Sequence, residues 1–592
     1  MSGSNGSNGA RRGDGEAGVP GHLAGRRAGR PRAGRDRRSL AVRIAAIGVL
    51  APALAGAALV DGWRNGSPAP PAGRPAPLMP AAGDGRPSTW YCAAGTAEDG
   101  GFADHTVGIV NHGAAAVTAD LTVVTGAVAP DAAPGGEPPA AERRVAVPAG
   151  GRAEVRLGDL VDAPLAAAVV EVGAGDVVVE HLVGGEHGED AGPCSPFAAA
   201  TWHVGWAATT RDARAVVAVL NPFPSPATVD AVLATEDGRR EPVRLQGVPV
   251  PGRTVVGIDL GLDVTRSEQV SATLRARSGR IVVERVQQYD GTLGLRGLAV
   301  DLGAPSPALA WAFPDGEATA PASGTPPPGA GGDTGDDGEG EGPADGGAPR
   351  STERIVVYNP GRERAAEVEV RVLPAAGAPG GPTARSPLPF HLSVRPGGYE
   401  VVDYGEHDRV EPGVPHATVV RSTNGQPVVA ERVTAGVEPT RDRGGDGDGD
   451  ATGAGADGLP PPALTAGPGA AFAAARWWLP GLSPAGEPDG GAAAAVVLNP
   501  GSAPVEVRLV RSAGDRPAPP VRLAPGARAE VGLDGGPSAA LGVVADGPVV
   551  VERVVRAADG RRVGTGPAVP LAATAAPLDA VVAGGPLAAP PA

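Results

Sequence analysis

The sequence predicts an all-β fold: a tandem array of about four β-sandwich modules behind a single N-terminal transmembrane helix. Three observations carry that expectation. Short markers recur four times in one order, and the segments around them alternate apolar and polar residues with the period of strands. An arginine-rich leader also precedes an apolar run of bilayer length. Composition sets the frame: 92 glycines and 65 prolines among 592 residues argue against one compact globule and for loop-rich stretches. With aromatics at 3%, cores must be built from Val, Leu and Ala.

In chain order, residues 1–39 read as a disordered basic cytoplasmic leader. Residues 1–43 hold ten arginines against Asp14, Glu16 and Asp36, a net +7 that leaves −22 of the formal −15 for the rest of the chain. No lysine occurs, so all 51 basic residues are arginine. Residues 40–62 read as a signal anchor, apolar from Ile44 to Val60 and able to reach the ~20 residues that span hydrocarbon. Arginines on its N-terminal side favour a cytoplasmic N-terminus and an extracytoplasmic bulk. The competing reading is a cleaved signal peptide at Ala55-Gly56-Ala57, which would release the chain on the same side of the membrane. Residues 63–87 form a Pro/Gly-rich stalk.

The modules are expected at 88–197, 198–303, 304–440 and 471–570. Each opens on a tryptophan (Trp90, Trp202, Trp311, and Trp478 of the Trp477-Trp478 pair). An apolar strand ending in Asn111, Asn221, Asn359 or Asn499 follows, with proline next in the last three and His112 in the first. A Pro-Gly or Pro-Ala-Gly turn then precedes an alternating strand. Each module closes on a Val-rich strand tipped by Glu180-His181, Glu284-Arg285, Glu431-Arg432 or Glu552-Arg553. Six or seven short strands in about 100 residues, apolar on one face, must pack as two facing sheets of immunoglobulin-like or fibronectin-III-like type. The rival architecture is a β-propeller, in which each module would be two blades. Residues 319–350 within module 3 and the Gly/Asp linker 441–470 are too acidic and too poor in apolar residues to build a core, which predicts disorder. Residues 571–592 are an Ala/Pro-rich tail.

The two cysteines, Cys92 and Cys194, both lie beyond the apolar run and predict a disulfide in an oxidising compartment. Nucleophile elbows, phosphate loops and His-Glu-x-x-His are missing, so no catalytic residue, cofactor or metal is assigned. The spacing of Asp446, Asp448, Asp450 and Asp457 partly fits a calcium loop, but Ala451 stands where the template wants glycine. The once-per-module residues Glu180, Glu284, Glu431, Glu552, Arg285, Arg432 and Arg553 read as structural, pairing with a neighbouring strand or the next module's backbone. The alternatives are a ligand-contacting Glu/Arg row or paired catalytic carboxylates. His105, His112, His181 and His187 gather in module 1, where an exported enzyme would have its site. The basic leader serves membrane topology, and nucleic acid is not an expected partner.

Trp90-Tyr91-Cys92, the Asn-Pro strands and the Val-Val-Glu-Arg endings resemble the actinobacterial DUF5719 family of uncharacterised envelope proteins, over most of residues 88–562. The resemblance implies an envelope location and repeated Ig-like modules, and supplies no catalytic residues. The expected function is therefore non-enzymatic: a cell-membrane, single-pass β-sandwich array (secreted, if the signal is cleaved). It would bind or scaffold cell-wall polysaccharide or a membrane protein; a purely structural surface spacer is the other reading.

Overall fold

The computed structural model describes residues 86–571, 574–583 and 587, except 130–140, 294, 318–349, 376–386, 412, 438–463, 480–491, 512–518, 533–540 and 557–561. The leader, the anchor and nearly all of the stalk lie outside the described residues, as do most of the acidic insert and the 446–457 aspartates. Among the described residues no helix is long and apolar enough to cross a membrane.

The fold is all-β. Module 1 has eight strands: β1 (Ser88–Cys92), β2 (Asp104–Asn111), β3 (Val117–Ala129), β4 (Ala141–Val147), β5 (Arg152–Arg156), β6 (Leu165–Val172), β7 (Val177–Gly185) and β8 (Gly188–Pro193). They pair as β1-β6-β3-β4, half of an eight-stranded sheet shared with module 2, and as the four-stranded sheet β5-β2-β7-β8. Period-two alternation places Val107 and Ile109 of β2 and Val177 and Val179 of β7 in one core with Trp90, Leu121, Val123 and Val170 of the other sheet. Burial at about 25 cal/mol per Å² of apolar surface makes this shared core the main stabilising term.

The same pairing recurs in each module. In module 3, strands 310–317, 415–422, 366–374 and 390–394 form one sheet, and 399–403, 350–358, 429–437 and 464–468 the other. Module 4 keeps the order but runs its sixth and seventh strands as one, Leu541–Arg556, which serves both sheets. The first two strands of every module lie on opposite sheets, whereas the immunoglobulin order puts them on the same one. The sheets are not propeller blades either, because no sheet consists of four successive strands.

The Pro-Gly turns fall where the sequence places them, before the fifth strand. Their second turn residue is left-handed: Gly150 (φ 60°), Gly397 (φ 65°) and Gly526 (φ 74°), with Arg253 (φ 53°) adopting the same conformation in module 2.

Three expectations are corrected. The modules of the tandem array do not stand apart from one another; they belong to one compact unit. Closing strands 188–193, 296–302, 464–468 and 562–567 each pack on the next, and the fourth packs on the first, so the modules form a ring. Small residues permit the approach: a Cβ on Gly297 would sit 2.4 Å from the Leu464 Cβ, and one on Gly467 2.6 Å from an Asp301 oxygen. Second, the linker expected at 441–470 ends earlier, because Leu464–Pro468 is the eighth strand of module 3, paired with Glu431–Ala435. Third, the tail from 571 is partly built: Ala575–Pro577 pairs with Phe472–Ala474, and a short helix, Leu578–Val582, buries Leu578 and Val582 against module 4.

Modules 1 and 2 are joined further by a parallel pairing of Gly126–Ala129 with Val255–Ile258. Gly126 is required there, since a Cβ would lie 1.6 Å from the Val255 carbonyl oxygen.

Candidate functional site

The repeated polar residues converge on the module junctions around the ring. Each glutamate sits on the seventh strand, opposite the end of its own closing strand, and faces the preceding module. Glu431 of module 3 accepts the Trp206 amide of module 2 at 2.6 Å and the Arg285 guanidinium at 2.7 Å. Glu552 of module 4 accepts the Asp315 amide of module 3 at 3.0 Å and a two-pronged contact from Arg432. Arg553 of module 4 then reaches Glu180 of module 1, with nitrogen and oxygen 3.5 Å apart, which closes the circle. At the fourth junction Glu284 of module 2 accepts the Ala93 and Ala94 amides of module 1 at 2.8 and 2.7 Å. Its side-chain neighbour there is His181, 3.5 Å away, in the slot that arginine fills elsewhere.

All these groups are buried, from Glu284 at 0% exposed to Arg553 at 8%. Buried ion pairs lose much of their Coulombic gain to desolvation, so their net contribution is small, while losing one partner is costly. What they fix is neighbour order: Glu180, Glu431 and Glu552 each meet an arginine of the preceding module, and Glu284 meets two of its backbone amides. Arg285 is held most completely, bonded also to Asp301 and to the Trp206 carbonyl, with its guanidinium 4.8 Å from the Trp206 ring centroid.

Electrostatics separate the fourth junction from the rest. Burial pushes the Glu284 carboxyl up to about 8, only partly countered by the two amides. Burial pulls His105 down to about 4, and burial together with His105 pulls His181 well below the usual imidazole range. His105 Nδ1 lies 2.7 Å from the Ala166 carbonyl oxygen and so donates to it. His105 Nε2 therefore accepts from His181 Nδ1 at 3.0 Å, leaving His181 Nε2 turned toward Glu284.

The other repeated residues serve the modules internally. Asn111, Asn221, Asn359 and Asn499 each donate to the carbonyl four or five residues on and to the carbonyl that ends the fourth strand, and accept the amide two residues on. Trp202 and Trp311 donate to the carbonyl three residues before their module's glutamate, at Ile281 and Val428, whereas Trp90 reaches Ser88. In module 4 the equivalent bond, to Val549, comes from Trp477. Trp478 is thus corrected as the module marker: strand alternation turns it outward, where it stacks on His112 of module 1 at 4.3 Å. His112 stands where the other modules have proline.

The Cys92–Cys194 disulfide is formed and fully buried, tying the end of β1 to the residue after β8. It thereby holds the neighbouring Ala93 and Ala94 amides that cradle Glu284. Replacing both cysteines by alanine is expected to cost about 2–5 kcal/mol, read as a lower unfolding midpoint in denaturant.

Sequence reasoning missed Asp190, Asp301 and the histidine pair as junction parts. Asp190 accepts the Val300 amide across the junction at 2.9 Å. One signal was present: a Gly-Pro ends three of the closing strands, at Gly192-Pro193, Gly467-Pro468 and Gly566-Pro567, and gives way to Asp301-Leu302 where Arg285 needs a second carboxylate. No group of three or more metal-ligating side chains is present among the described residues. Clefts beside Arg285 and Glu431, and beside Glu552, each hold about 10 Å³, far below the ~300–1,000 Å³ of ordinary ligand pockets. No family model matches the chain, and comparison with curated proteins likewise finds no match.

Proposed function

We propose that the chain is a non-enzymatic, extracytoplasmic envelope protein, anchored by residues 40–62, whose module ring is a rigid platform for wall polymer or a membrane-protein partner. One observation carries this reading: the residues repeated once per module are consumed in holding the ring, as buried junction pairs and turn staples. The buried disulfide supports an oxidising compartment. Kinship with the DUF5719 envelope proteins belongs to the same proposal. The enzyme alternative loses support in module 1, where His105 and His181 are 0% and 1% exposed.

The test uses the full-length protein in detergent, assayed for co-sedimentation with isolated wall polymer and for cross-linking to membrane proteins in intact cells. Retention on polymer, or one reproducible cross-linked partner, is the expected outcome. Neither would overturn the binding role in favour of a spacer. Sequencing of the mature N-terminus tests the anchor, and a start at Ala58 would refute it.

A further inference from the structure

Three of the four junctions are closed by an arginine and a glutamate: Arg285–Glu431, Arg432–Glu552 and Arg553–Glu180. At the fourth, arginines cross the boundary elsewhere, as Arg296 does to the Glu186 carbonyl, but among the described residues none pairs with Glu284. A hydrogen-bond chain runs from the Ala166 carbonyl on β6 through His105 on β2 to His181 on β7, whose Nε2 lies 3.5 Å from Glu284 of module 2 without bonding it. Glu284 Oε2 takes both cradle amides, and Oε1 has no hydrogen-bond partner among the described residues.

No other charge on the packed elements serves this group. Arg285, next in the chain, points to Glu431 and Asp301. Asp190 on β8 is taken up by the Ala191 and Val300 amides, and Asp301 on the closing strand of module 2 by Arg285. Asp104 on β2 binds Arg156 of β5. A carboxylate formed at Glu284 therefore has two amides and two neutral imidazoles around it, in a site without solvent.

We infer that the junction between modules 1 and 2 is the proton-sensitive seam of the ring, where the buried Glu284 faces His181 and His105 in place of the arginine that meets the glutamate at the other three. Deprotonating Glu284 charges the seam with no cation to meet it and loosens it, whereas an arginine meets the carboxylate at each of the other junctions. The direction follows from linkage. The folded Glu284 carboxyl, pushed up to about 8, lies above its unfolded value, so its stabilising effect is complete below the unfolded value and is lost as pH rises through about 8. The histidines act oppositely: with His105 pulled down to about 4, their effect is complete above the ordinary imidazole value and is lost as pH falls below it. The seam is tightest just above the imidazole range, and Glu284 governs its alkaline side.

The experiment is amide hydrogen exchange on the full-length protein from about pH 6.5 to 8, corrected for intrinsic exchange, comparing the Ala93 and Ala94 amides with the Trp206 amide at the next junction. Protection at Ala93 and Ala94 is expected to fall by up to about tenfold per pH unit, as one linked proton dictates, while Trp206 changes little. Glu284→Gln keeps an acceptor for the two amides and should flatten the profile. His181→Arg should flatten it by supplying the fourth ion pair. Equal pH dependence at both junctions, or a Glu284→Gln profile matching the parent, would overturn the inference. The glutamine variant decides the matter even if the arginine variant does not fold.

Discussion

Replacing Arg285 by methionine is expected to destabilise the protein by about 3–5 kcal/mol, measured by chemical denaturation at neutral pH. The side chain is 1% exposed and lies between the carboxylates of Glu431 and Asp301, which are themselves largely buried. Methionine fills similar volume, so the loss reports charge and not packing. Both acids are left without their cation, and burial, which already pushes Asp301 well above the usual carboxylate range, then acts unopposed. The variant should therefore recover part of its stability as pH is lowered and the acids protonate. Adding Glu431→Gln and Asp301→Asn should restore most of the loss, because uncharged isosteres remove the penalty itself. No rescue in the triple variant would show that Arg285 acts through packing on Trp206.

The second large effect separates two adjacent tryptophans. Trp477→Ala is expected to cost about 3–5 kcal/mol, the range for truncating a buried aromatic. Its ring is 1% exposed and its indole N–H bonds the Val549 and Ala474 carbonyls, which lose a donor as well as a packing partner. Trp478→Ala should cost clearly less, since that side chain is only partly buried and stacks on His112. The comparison is made by thermal unfolding of the two variants under one condition. Equal costs would contradict the assignment of Trp477 as the core residue of module 4.

The module is legible in the sequence because its markers obey local rules. An asparagine that must satisfy three backbone groups, a turn that needs a left-handed residue and strands with period two leave the same trace in every copy. The ring is less legible, because closure depends on pairs separated by 120 to 373 positions, such as Arg432–Glu552 and Glu180–Arg553, and no local pattern specifies which module meets which. The extent of the modules was misread for a related reason: Leu464–Pro468 is too short and too glycine-flanked to stand out as a strand until Glu431–Ala435 pairs with it. Two equal residues side by side, Trp477 and Trp478, give alternation no phase, so the sequence does not mark which one enters the core. The substitution of His181 for arginine was visible as a break in the repeat, but its meaning depends on His105, which belongs to a different strand.

Ring closure also has a consequence in time. Glu180 is translated 373 positions ahead of Arg553, the residue that meets it. At roughly 5–20 residues per second, that interval is on the order of 20–75 s. Throughout it the first module presents a desolvation-prone carboxylate and an unfilled flank, with His112 waiting for Trp478. The nascent protein is thus an open crescent whose two ends are complementary, and two such crescents could join end to end before either finishes. Rapid delivery of the last module, and isolation of each chain until it arrives, would favour the monomeric ring over a linked pair.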